Sequence, residues 1–304
     1  MPKVSVIIPT YKRSELLADA IKSVTSQTEK DIEIIVVSDG VDEKSQDVVR
    51  KLQKNDSRIL YFDYPKSKGG NYARNFGVKK SQSDIIAFLD DDDTWNSLKV
   101  QKQLEILSKN RSIGLVYTGI NQIYPEKNIS FKSIPKFRGS LAKKIFFRNY
   151  IGTTSTVLMR KKIFVQAGGF DTNLKAMQDY DLWIRSCQLC LVDYVKTPEV
   201  NYYNRSSSNQ ISIDTDKYKE AFEYIFNKYS NKYEQLTSKE LQFIKANHYK
   251  LIANKHNKNG DIKKSLKYSI EGFKKEKTFK NLIYIFMMTF NFDLQIFIRS
   301  LTQK

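Results

Sequence analysis

Short apolar runs alternate with amphipathic stretches along the first hundred residues of the chain. The apolar runs are rich in Val and Ile and predict strands at 4–8, 32–37, 59–63 and 85–90, and the stretches between them predict helices near 14–27, 43–54 and 71–81. Because the first two strands are apolar at nearly every position, we expect both of their faces to be buried, as in a parallel sheet. Strands and helices that alternate in this order predict an α/β fold, with a doubly wound sheet and helices on both of its faces.

The alternation becomes less regular between residues 96 and 212. The spacing of apolar residues predicts a helix over 96–109, strands over 113–120 and 155–160 and a helix over 178–190, with a polar and basic stretch at 121–150. In the last of these helices, Leu182, Ile184 and Leu189 have the spacing of a packed face, and Trp183 is expected in the core. We therefore expect the α/β domain to continue to residue 212.

The pattern changes near residue 213. Strand signals stop there, and Lys-rich amphipathic stretches predict three or four helices. We therefore divide the chain into an α/β domain at 1–212 and a helical region at 213–304. Within this region, segment 248–278 has the pattern of a helix-turn-helix with its turn at 259–261. The apolar stretch 281–298 is interrupted by polar residues, and either a terminal core helix or a membrane-contacting helix fits it.

Composition and charge narrow the class of protein. The chain has 304 residues, of which 40% are apolar, with 12 Gly and 6 Pro, so it is neither disordered nor fibrous. A net charge of +18 suggests nucleic-acid binding. The first hundred residues are neutral, however, and the basic excess lies mainly in 101–150 and 213–304. A basic nucleic-acid-binding protein is therefore kept only as the weaker alternative, and no nucleic-acid partner is expected.

The expected location is the cytoplasm. Cys187 and Cys190 are too few for a disulfide scaffold and lack further Cys or His ligands for zinc, so we expect two buried thiols in a reducing compartment. The apolar run at 4–8 is shorter than the roughly 7–15 residues of a secretory signal core, and no run reaches the roughly 20 residues of a membrane span. Peripheral contact with the inner face of the plasma membrane is compatible with both observations.

Polar residues follow three of the predicted strands at the point where each ends. The first strand is followed by Pro9, Thr10 and Tyr11, the second by Asp39, and the fourth by the run 90–93, which consists of four aspartates. Ligands of doubly wound sheets bind at the carboxyl ends of the strands, near a topological switch point. We therefore expect these three polar sets to meet in one binding site.

The four consecutive aspartates indicate a metal site. Carboxylates packed together repel one another unless a cation or solvent separates them. Their oxygens are hard ligands that suit Mg²⁺ or Mn²⁺, and such ions are usually held by one or two carboxylates together with substrate phosphates. A solvated acidic turn is the alternative, but the position of the run at a strand end favours a metal-diphosphate site. Trp95, which follows the run, fits sugar stacking and simple packing equally well.

Five motifs occur in an order and spacing that resemble family 2 nucleotide-sugar glycosyltransferases, which have the GT-A fold. These motifs are VSVIIPTYKR, IIVVSDG, GGNYARNFGVKKSQSDIIAFLDDDDTW, AGGFD and QDYDLWIR. The resemblance covers residues 3–212. It implies a GT-A type doubly wound mixed sheet flanked by helices, followed in this chain by a C-terminal helical extension.

The resemblance also implies which residues bind the donor nucleotide. Pro9, Thr10 and Tyr11 would shape the pocket for the base, and Asp39 would accept hydrogen bonds from the base or the ribose. The segment that closes over the nucleotide matches the region of Asn71 and Arg74. For Asp39 the alternative is a tight turn before a glycine, and for Arg74 it is a solvated helix position.

The acidic motif of the family falls on three of the four aspartates. Asp90 and Asp91 are assigned to the diphosphate and metal region, Asp92 is the metal ligand, and Asp93 is the spare acid. The implied cofactor is Mn²⁺ or Mg²⁺. Many family members carry a histidine near 202–212, and this chain has none there, so Arg205 or the serines at 206–208 are expected to contact the diphosphate instead.

The resemblance places a catalytic base at the start of a helix, in the pair Gln178-Asp179. A carboxylate within hydrogen-bond reach of the acceptor hydroxyl can remove its proton, and Asp179 is the residue implied. Asp181 is the alternative, although it is also suited to cap the helix or to pair with Arg185 four residues later.

These implications define the expected activity. We expect an inverting enzyme that transfers a sugar from a UDP-sugar to a hydroxyl of a glycan or lipid-linked glycan, in bacterial surface polysaccharide or glycoprotein glycan synthesis. The basic helical region at 213–304 is expected to dock on an anionic membrane surface, to contact the acceptor or to form a homo-oligomer.

Overall fold

Four parallel strands near the N-terminus form one half of a mixed sheet. The computed structural model describes residues 1–205 and 215–290, together with 292, 294 and 296, and within these ranges nine strands form a single sheet. The parallel half has the order β3 (Ile59–Phe62), β2 (Ile32–Ser38), β1 (Val4–Thr10), β4 (Ile85–Phe88). Every position of β1 and β2 is buried, as their continuous Val and Ile content predicts.

The other half of the sheet is mostly antiparallel. It consists of β5 (Thr94–Trp95), β6 (Ile113–Tyr124), β7 (Ile129–Ser133), β8 (Leu158–Arg160) and β9 (Leu191–Tyr203). The strand β8 joins the two halves, since it runs antiparallel to both β4 and β6. The strand β9 runs parallel to β6 and also holds β5. The predicted α/β fold with a mixed sheet is confirmed.

Six helices precede the C-terminal region and cover both faces of the sheet. They are α1 (Ser14–Thr25), α2 (Glu43–Gln53), α3 (Gly70–Lys80), α4 (Lys99–Lys109), α5 (Lys161–Gln166) and α6 (Gln178–Ser186). Successive side chains of a strand point to opposite faces, so Val6 and Ile8 enter one core while Ile7 enters the other. At Gly77 of α3, a Cβ atom would come within 2.6 Å of the Ile7 side chain, so this close approach of helix to strand requires glycine.

The C-terminal region is helical, as the Lys-rich amphipathic pattern predicts. It contains α7 (Thr215–Lys228), α8 (Ser230–Tyr233), α9 (Ser238–Lys258), α10 (Ile262–Lys275) and α11 (Phe279–Met288). The predicted helix-turn-helix is confirmed, because α9 ends at Lys258 and Asp261 caps α10. Ala221, Ile225 and Ile244 join the same hydrophobic core as Trp183 of α6. The helices therefore pack on the α/β domain, and the predicted boundary at 212/213 lies outside the described residues.

Some predicted elements differ from those observed. The strand predicted at 155–160 begins only at Leu158, because residues 154–156 form a 3₁₀ turn, and the helix predicted over 178–190 ends at Ser186, which leaves Leu189 exposed. The strands β7 and β9 were not predicted, because polar and charged residues interrupt their apolar pattern. In the described part of the chain, no helix is long and apolar enough to cross a membrane.

Candidate active site

A cavity of about 930 Å³ opens at the carboxyl ends of β1, β2 and β4. Parallel strands deliver their following loops to the same edge of a sheet, and the three predicted polar sets meet there. Nine of the ten predicted site residues line the cavity: Pro9, Thr10, Tyr11, Asp39, Arg74, Asp90, Asp91, Asp92 and Asp179. Asn71 does not line it, because its side-chain amide donates to the backbone carbonyls of Asp171 and Leu174, each at 2.8 Å, and so fixes the loop before α6.

Asp39 is a fixed, ionised carboxylate at one end of the cavity. It accepts hydrogen bonds from Tyr64 Oη at 2.6 Å, from Ser67 Oγ at 2.7 Å and from the backbone N–H groups of Lys68 and Gly69. Burial by itself would raise the pKa of Asp39, but these hydrogen bonds outweigh burial and lower it. Asp39 therefore holds the turn at 67–69 against β2 and keeps a negative charge beside the cavity.

Two arginines neutralise part of the aspartate cluster. Arg74 Nη2 lies 2.6 Å from Asp90 Oδ1, and Arg13 Nη1 lies 3.1 Å from Asp91 Oδ1 and 3.2 Å from Asp92 Oδ2. Arg13 was not predicted as a site residue, although it ends the first motif of the sequence. Both guanidinium groups line the cavity as well, so each bridges the cluster and the space where a ligand would lie.

The four aspartates have different environments. Asp91 is fixed by a hydrogen bond from Thr10 Oγ1 at 2.7 Å, and only 6% of its side chain is exposed, against 28% for Asp90 and 21% for Asp92. Asp93 is buried, accepts from Ser155 Oγ at 2.7 Å and lies outside the cavity lining. Asp90 and Asp92 are therefore the carboxylates most open to a ligand.

Negative charge accumulates in this cluster. Burial raises the pKa of Asp91 to about 6, and burial together with the charge of Asp90 raises the pKa of Asp92. Burial and the neighbouring charges of Asp92 and Asp90 also raise the pKa of Asp93. Carboxylates that are costly to ionise together are stabilised by a divalent cation, whose charge favours their ionised form.

The donor set at the cavity fits a hard divalent cation held by few protein ligands. Within residues 1–205 and 215–290, no group of three or more His, Cys, Asp or Glu side chains is arranged to hold a metal ion. Asp90 and Asp92 nevertheless present carboxylate oxygens toward the cavity. Mg²⁺ and Mn²⁺ are commonly held by one or two carboxylates while phosphate oxygens and water supply the rest.

Asp179 lies in the first turn of α6, on the same cavity. Its Oδ1 accepts a hydrogen bond from the backbone N–H of Tyr180 at 2.7 Å, and Asn149 Nδ2 lies 3.5 Å from its Oδ2. Burial, with the added negative charge of Asp90, raises the pKa of Asp179 to about 6. A carboxylate with a pKa in this range is ionised at neutral pH and is a stronger base than an ordinary aspartate.

Asp181, the alternative base, lies outside the cavity lining and is fully buried. It pairs with Arg185 four residues later, as its spacing predicts, and also contacts Lys228 Nζ at 3.0 Å and Tyr229 Oη at 2.8 Å. These contacts tie α6 to α7. Asp181 is therefore a structural residue that fixes the helix carrying Asp179.

The C-terminal helices supply a wall of the cavity that was not predicted from the sequence. We call it the helical wall and define it by its cavity-lining residues on α7 and α9: Tyr218, Phe222, Ile244, Asn247, His248, Leu251 and Lys255. The His248 ring stacks on Phe222 with the ring centroids 3.6 Å apart, and Lys255 Nζ lies 4.1 Å from the centroid of Tyr218. The signal in the sequence was the spacing of these residues, which places them on single helix faces.

The structure also shows where the remaining residues named in the sequence analysis lie. Arg205 Nη1 donates to the Asp92 carbonyl at 3.0 Å, so Arg205 reaches the acidic turn, whereas the serines at 206–208 lie outside the described residues.

Trp95 is packed, with 4% of its surface exposed and its Nε1 donating to the Ser155 carbonyl. Trp183 is fully buried, as predicted. Cys187 and Cys190 are free thiols, and burial raises the pKa of Cys190 to about 11.

Comparisons with known proteins identify relatives of this chain. The family model described as glycosyl transferase family 2 matches residues 5–167, more than half of the chain. An uncharacterized glycosyltransferase of Haemophilus influenzae is 26% identical over 302 residues, which are 98% of this chain and 99% of that protein. The GalNAc(5)-diNAcBac-PP-undecaprenol beta-1,3-glucosyltransferase of Campylobacter jejuni is 46% identical over 96 residues, which are 31% of this chain and 30% of that protein.

Solved structures share the fold. Staphylococcus aureus TarS 1–349, in complex with UDP-GlcNAc, matches with a TM-score of 0.59 and 14% sequence identity over 91% of this chain and 92% of that one. The mannosyltransferase PcManGT from Pyrobaculum calidifontis, in complex with GDP-Man and Mn²⁺, matches with a TM-score of 0.54 and 13% identity over 99% of this chain and 87% of that one. The predicted GT-A type fold is confirmed.

Proposed function

Because the chain belongs to glycosyl transferase family 2 and is a glycosyltransferase, we propose that it is a metal-dependent, inverting enzyme that uses a UDP-sugar. The acceptor is a hydroxyl of a glycan or lipid-linked glycan in bacterial surface polysaccharide or glycoprotein glycan synthesis. One observation carries the proposal: the acidic cluster at 90–92 and the basic carboxylate of Asp179 line a single cavity. A donor diphosphate and an acceptor hydroxyl can therefore be bound side by side.

The nucleotide lies at the β1 and β2 end of the cavity. Tyr11 is half exposed there, which leaves a ring face for a base, and Asp39 offers carboxylate oxygens already fixed by the turn at 67–69. Arg74 and Arg13 also line the cavity, and their guanidinium groups are suited to bind diphosphate oxygens. This order of groups supports UDP at the sheet edge, with its diphosphate over the aspartates.

Asp92 and Asp90 would hold Mn²⁺ or Mg²⁺ together with the donor diphosphate. When bound, the cation supplies Lewis-acid stabilisation of the charge that develops on the leaving group. The S. aureus structure contains UDP-GlcNAc, and the P. calidifontis structure contains GDP-Man and Mn²⁺. Both ligands support a nucleotide-sugar donor in this chain as well. The sugar that the donor carries is then set by the part of the cavity between the cluster and the helical wall.

Asp179 acts as the general base. Its carboxylate takes the proton of the acceptor hydroxyl as the hydroxyl oxygen forms a bond to the anomeric carbon. The bond between that carbon and the diphosphate oxygen breaks in the same step, and its electron pair leaves with the diphosphate. One displacement of this kind inverts the anomeric centre. The raised pKa of Asp179 supports this role, because it brings the base closer to neutral pH.

Calorimetry with UDP tests the donor half of the proposal. UDP is expected to bind the wild-type chain in the presence of Mn²⁺ and at least about tenfold more weakly in its absence or in Asp92→Ala. Asp47→Asn, on the exposed face of α2, is the matched control and should bind like the wild type. Equal UDP binding with and without metal, or in Asp92→Ala, would reject the metal assignment. A panel of UDP-glucose, UDP-galactose, their N-acetyl forms and GDP-mannose then identifies the donor by hydrolysis.

The acceptor is proposed to come from an anionic membrane surface. The helix α11 exposes one apolar face, on which Phe279 is 77% and Phe286 62% exposed, with Leu282 and Ile283 between them. Lys280 at the start of α11, Lys277 just before it and Lys274 near the end of α10 are exposed. An apolar face with basic neighbours suits the interface of an anionic bilayer, and the named C. jejuni relative acts on an undecaprenol-linked glycan.

Vesicle co-sedimentation of the full chain tests the membrane contact. The wild type is expected to sediment with phosphatidylglycerol-containing vesicles and not with pure phosphatidylcholine, and Phe279→Ser with Phe286→Ser should abolish this. Val165→Ser, an equally exposed apolar residue on α5, is the control. If the wild type stays in solution, or if light scattering shows instead a dimer that the double variant dissociates, the face binds a second copy and the membrane assignment is wrong.

A further inference from the structure

One face of α9 is directed into the active-site cavity. Ile244, His248, Leu251 and Lys255 recur at intervals of three and four residues, so they form a single stripe on the helix. Two of them are apolar, and the other two carry polar atoms into an otherwise aromatic and aliphatic wall. The stripe is therefore half apolar and half polar, and Asn247 and the Tyr218 hydroxyl are further polar groups of the helical wall.

Lys255 is a partly buried cation without an anionic partner in the described part of the chain. Its ammonium group contacts the face of the Tyr218 ring and makes no ion pair or hydrogen bond there. Two other buried lysines differ in this respect, because Lys99 Nζ donates to Gln103 Oε1 at 2.7 Å and Lys258 Nζ donates to Asn204 Oδ1 at 3.1 Å. A cation withdrawn from water without an acceptor is costly, and burial lowers the pKa of Lys255 to about 7.

The second polar atom of the stripe also lacks a partner. His248 Nδ1 is buried and has no hydrogen bond to any described residue, while its ring is held against Phe222. Burial lowers the pKa of His248 to about 4, so the imidazole is neutral at physiological pH. Buried polar groups without a partner are rare in folded proteins and mark places where a ligand or ion supplies the missing contact.

Lys255 lies on the acceptor side of the site. Lys255 and Asp179 line the same cavity, and the negative charge of Asp179 acts on Lys255 and opposes the effect of burial on its pKa. The same negative charge of Asp179 acts on Tyr218, the ring beneath the lysine. Lys255 and the proposed base therefore lie within electrostatic reach of each other on one cavity.

We propose that Lys255 binds an anionic group of the acceptor, a phosphate or a carboxylate, next to the hydroxyl that Asp179 deprotonates. The Tyr218 and Phe222 rings give the sugar of the same substrate an apolar surface. The inference rests on the proposed function and names the acceptor class. It makes Lys255 a specificity-determining residue, which a neutral acceptor would leave unpaired.

Calorimetry on protein already saturated with UDP and Mg²⁺ tests this site apart from the donor site. Methyl phosphate and glucuronate are titrated separately as probes for the phosphate and carboxylate classes. At least one should bind the wild type, and Lys255→Gln should weaken that binding about tenfold or more, the usual loss for a charge-assisted pair. Lys239→Gln, an exposed lysine on the same helix, is the control and should change nothing.

Each outcome has a defined meaning. If neither probe binds while UDP does, or if Lys255→Gln binds both probes like the wild type, the anion site is rejected and the proposed transferase function stands. If Lys255→Gln weakens UDP itself by the same factor, the cation belongs to the donor diphosphate and the acceptor assignment is wrong. If UDP fails to bind the wild type at all, it is the proposed function that fails.

Discussion

The two sides of the active-site cavity are built in different ways. The sheet side consists of loops at strand ends and carries a dense polar network, in which Asp39, Asp90 and Asp91 each have fixed partners. The helical wall consists of two helix faces from the end of the chain and is largely aromatic and aliphatic, with few polar atoms. In the proposed function, the sheet side is therefore preorganised for one charged ligand, the donor, whereas the helical wall would select the acceptor by shape and by isolated polar contacts.

The largest effect should come from removing the metal. The sheet side keeps several negative charges close together, so without a cation the donor diphosphate is repelled and its departure is not stabilised. We expect chelation with EDTA to lower transfer about 10³-fold or more, and Mn²⁺ or Mg²⁺ to restore it. Full activity in EDTA would show that the arginines alone neutralise the donor.

The next largest effect should be a loss of stability when the buried carboxylate of Asp181, which connects α6 to α7, is removed. Asp181 is fully buried, pairs with Arg185 of its own helix and joins α6 to the end of α7 through Lys228 and Tyr229. Asp181→Asn leaves Arg185 without a negative partner and removes one of the two carboxylates that contact Lys228, and we expect a loss of about 3 kcal/mol in the free energy of unfolding. Urea unfolding measures it, with Asp47→Asn as the exposed control. A variant as stable as the wild type would mean that α7 does not depend on this carboxylate.

A smaller effect should distinguish acceptor binding from donor binding. Phe222 stacks on His248 and lines only the helical wall, so Phe222→Ala should raise the KM for the acceptor about tenfold and leave the KM for the donor unchanged. Tyr224→Ala, on the same helix outside the cavity lining, should change neither. Equal changes in both KM values would contradict the division of the cavity into two sides.

The smallest effect is a change of rate with pH. Burial and the charge of Asp90 raise the pKa of Asp179 to about 6, and the base acts only when ionised. At saturating substrates, kcat should therefore be constant above pH 7 and fall about tenfold per unit below about pH 6. Rate measurements across this range check it, with UDP binding measured at the same pH values. A kcat that does not fall between pH 7 and pH 5 would exclude Asp179 as the titrating base.

The sheet side was predictable from the sequence, and the helical wall was not. Strand ends are marked by the change from apolar runs to polar residues such as Asp39 and Asp90, and parallel pairing brings them together by geometry. Helix faces such as that of His248 and Lys255 carry ordinary amphipathic spacing, which predicts a helix and does not say what the face contacts. Their position depends on tertiary packing between α7, α9 and the core around Trp183.

Asn71 and Arg13 show the same limit of prediction from the sequence. Asn71 lies within a motif of the nucleotide site, yet its amide is used to hold a loop. Arg13 ends the first motif but was not predicted as a site residue, and only the folded chain brings its guanidinium to Asp91 and Asp92. Motifs thus located the site, while the assignment of contacts within it required the three-dimensional arrangement.

The proposed transfer depends most on Asp179, the base that acts between the two sides of the cavity. Asp179→Asn keeps the size and the position of the side chain but cannot accept the acceptor proton. Single-turnover transfer by this variant should be slower by about 10³-fold, while its UDP affinity matches the wild type. Transfer at the wild-type rate, or a loss explained entirely by weaker UDP binding, would contradict the central claim.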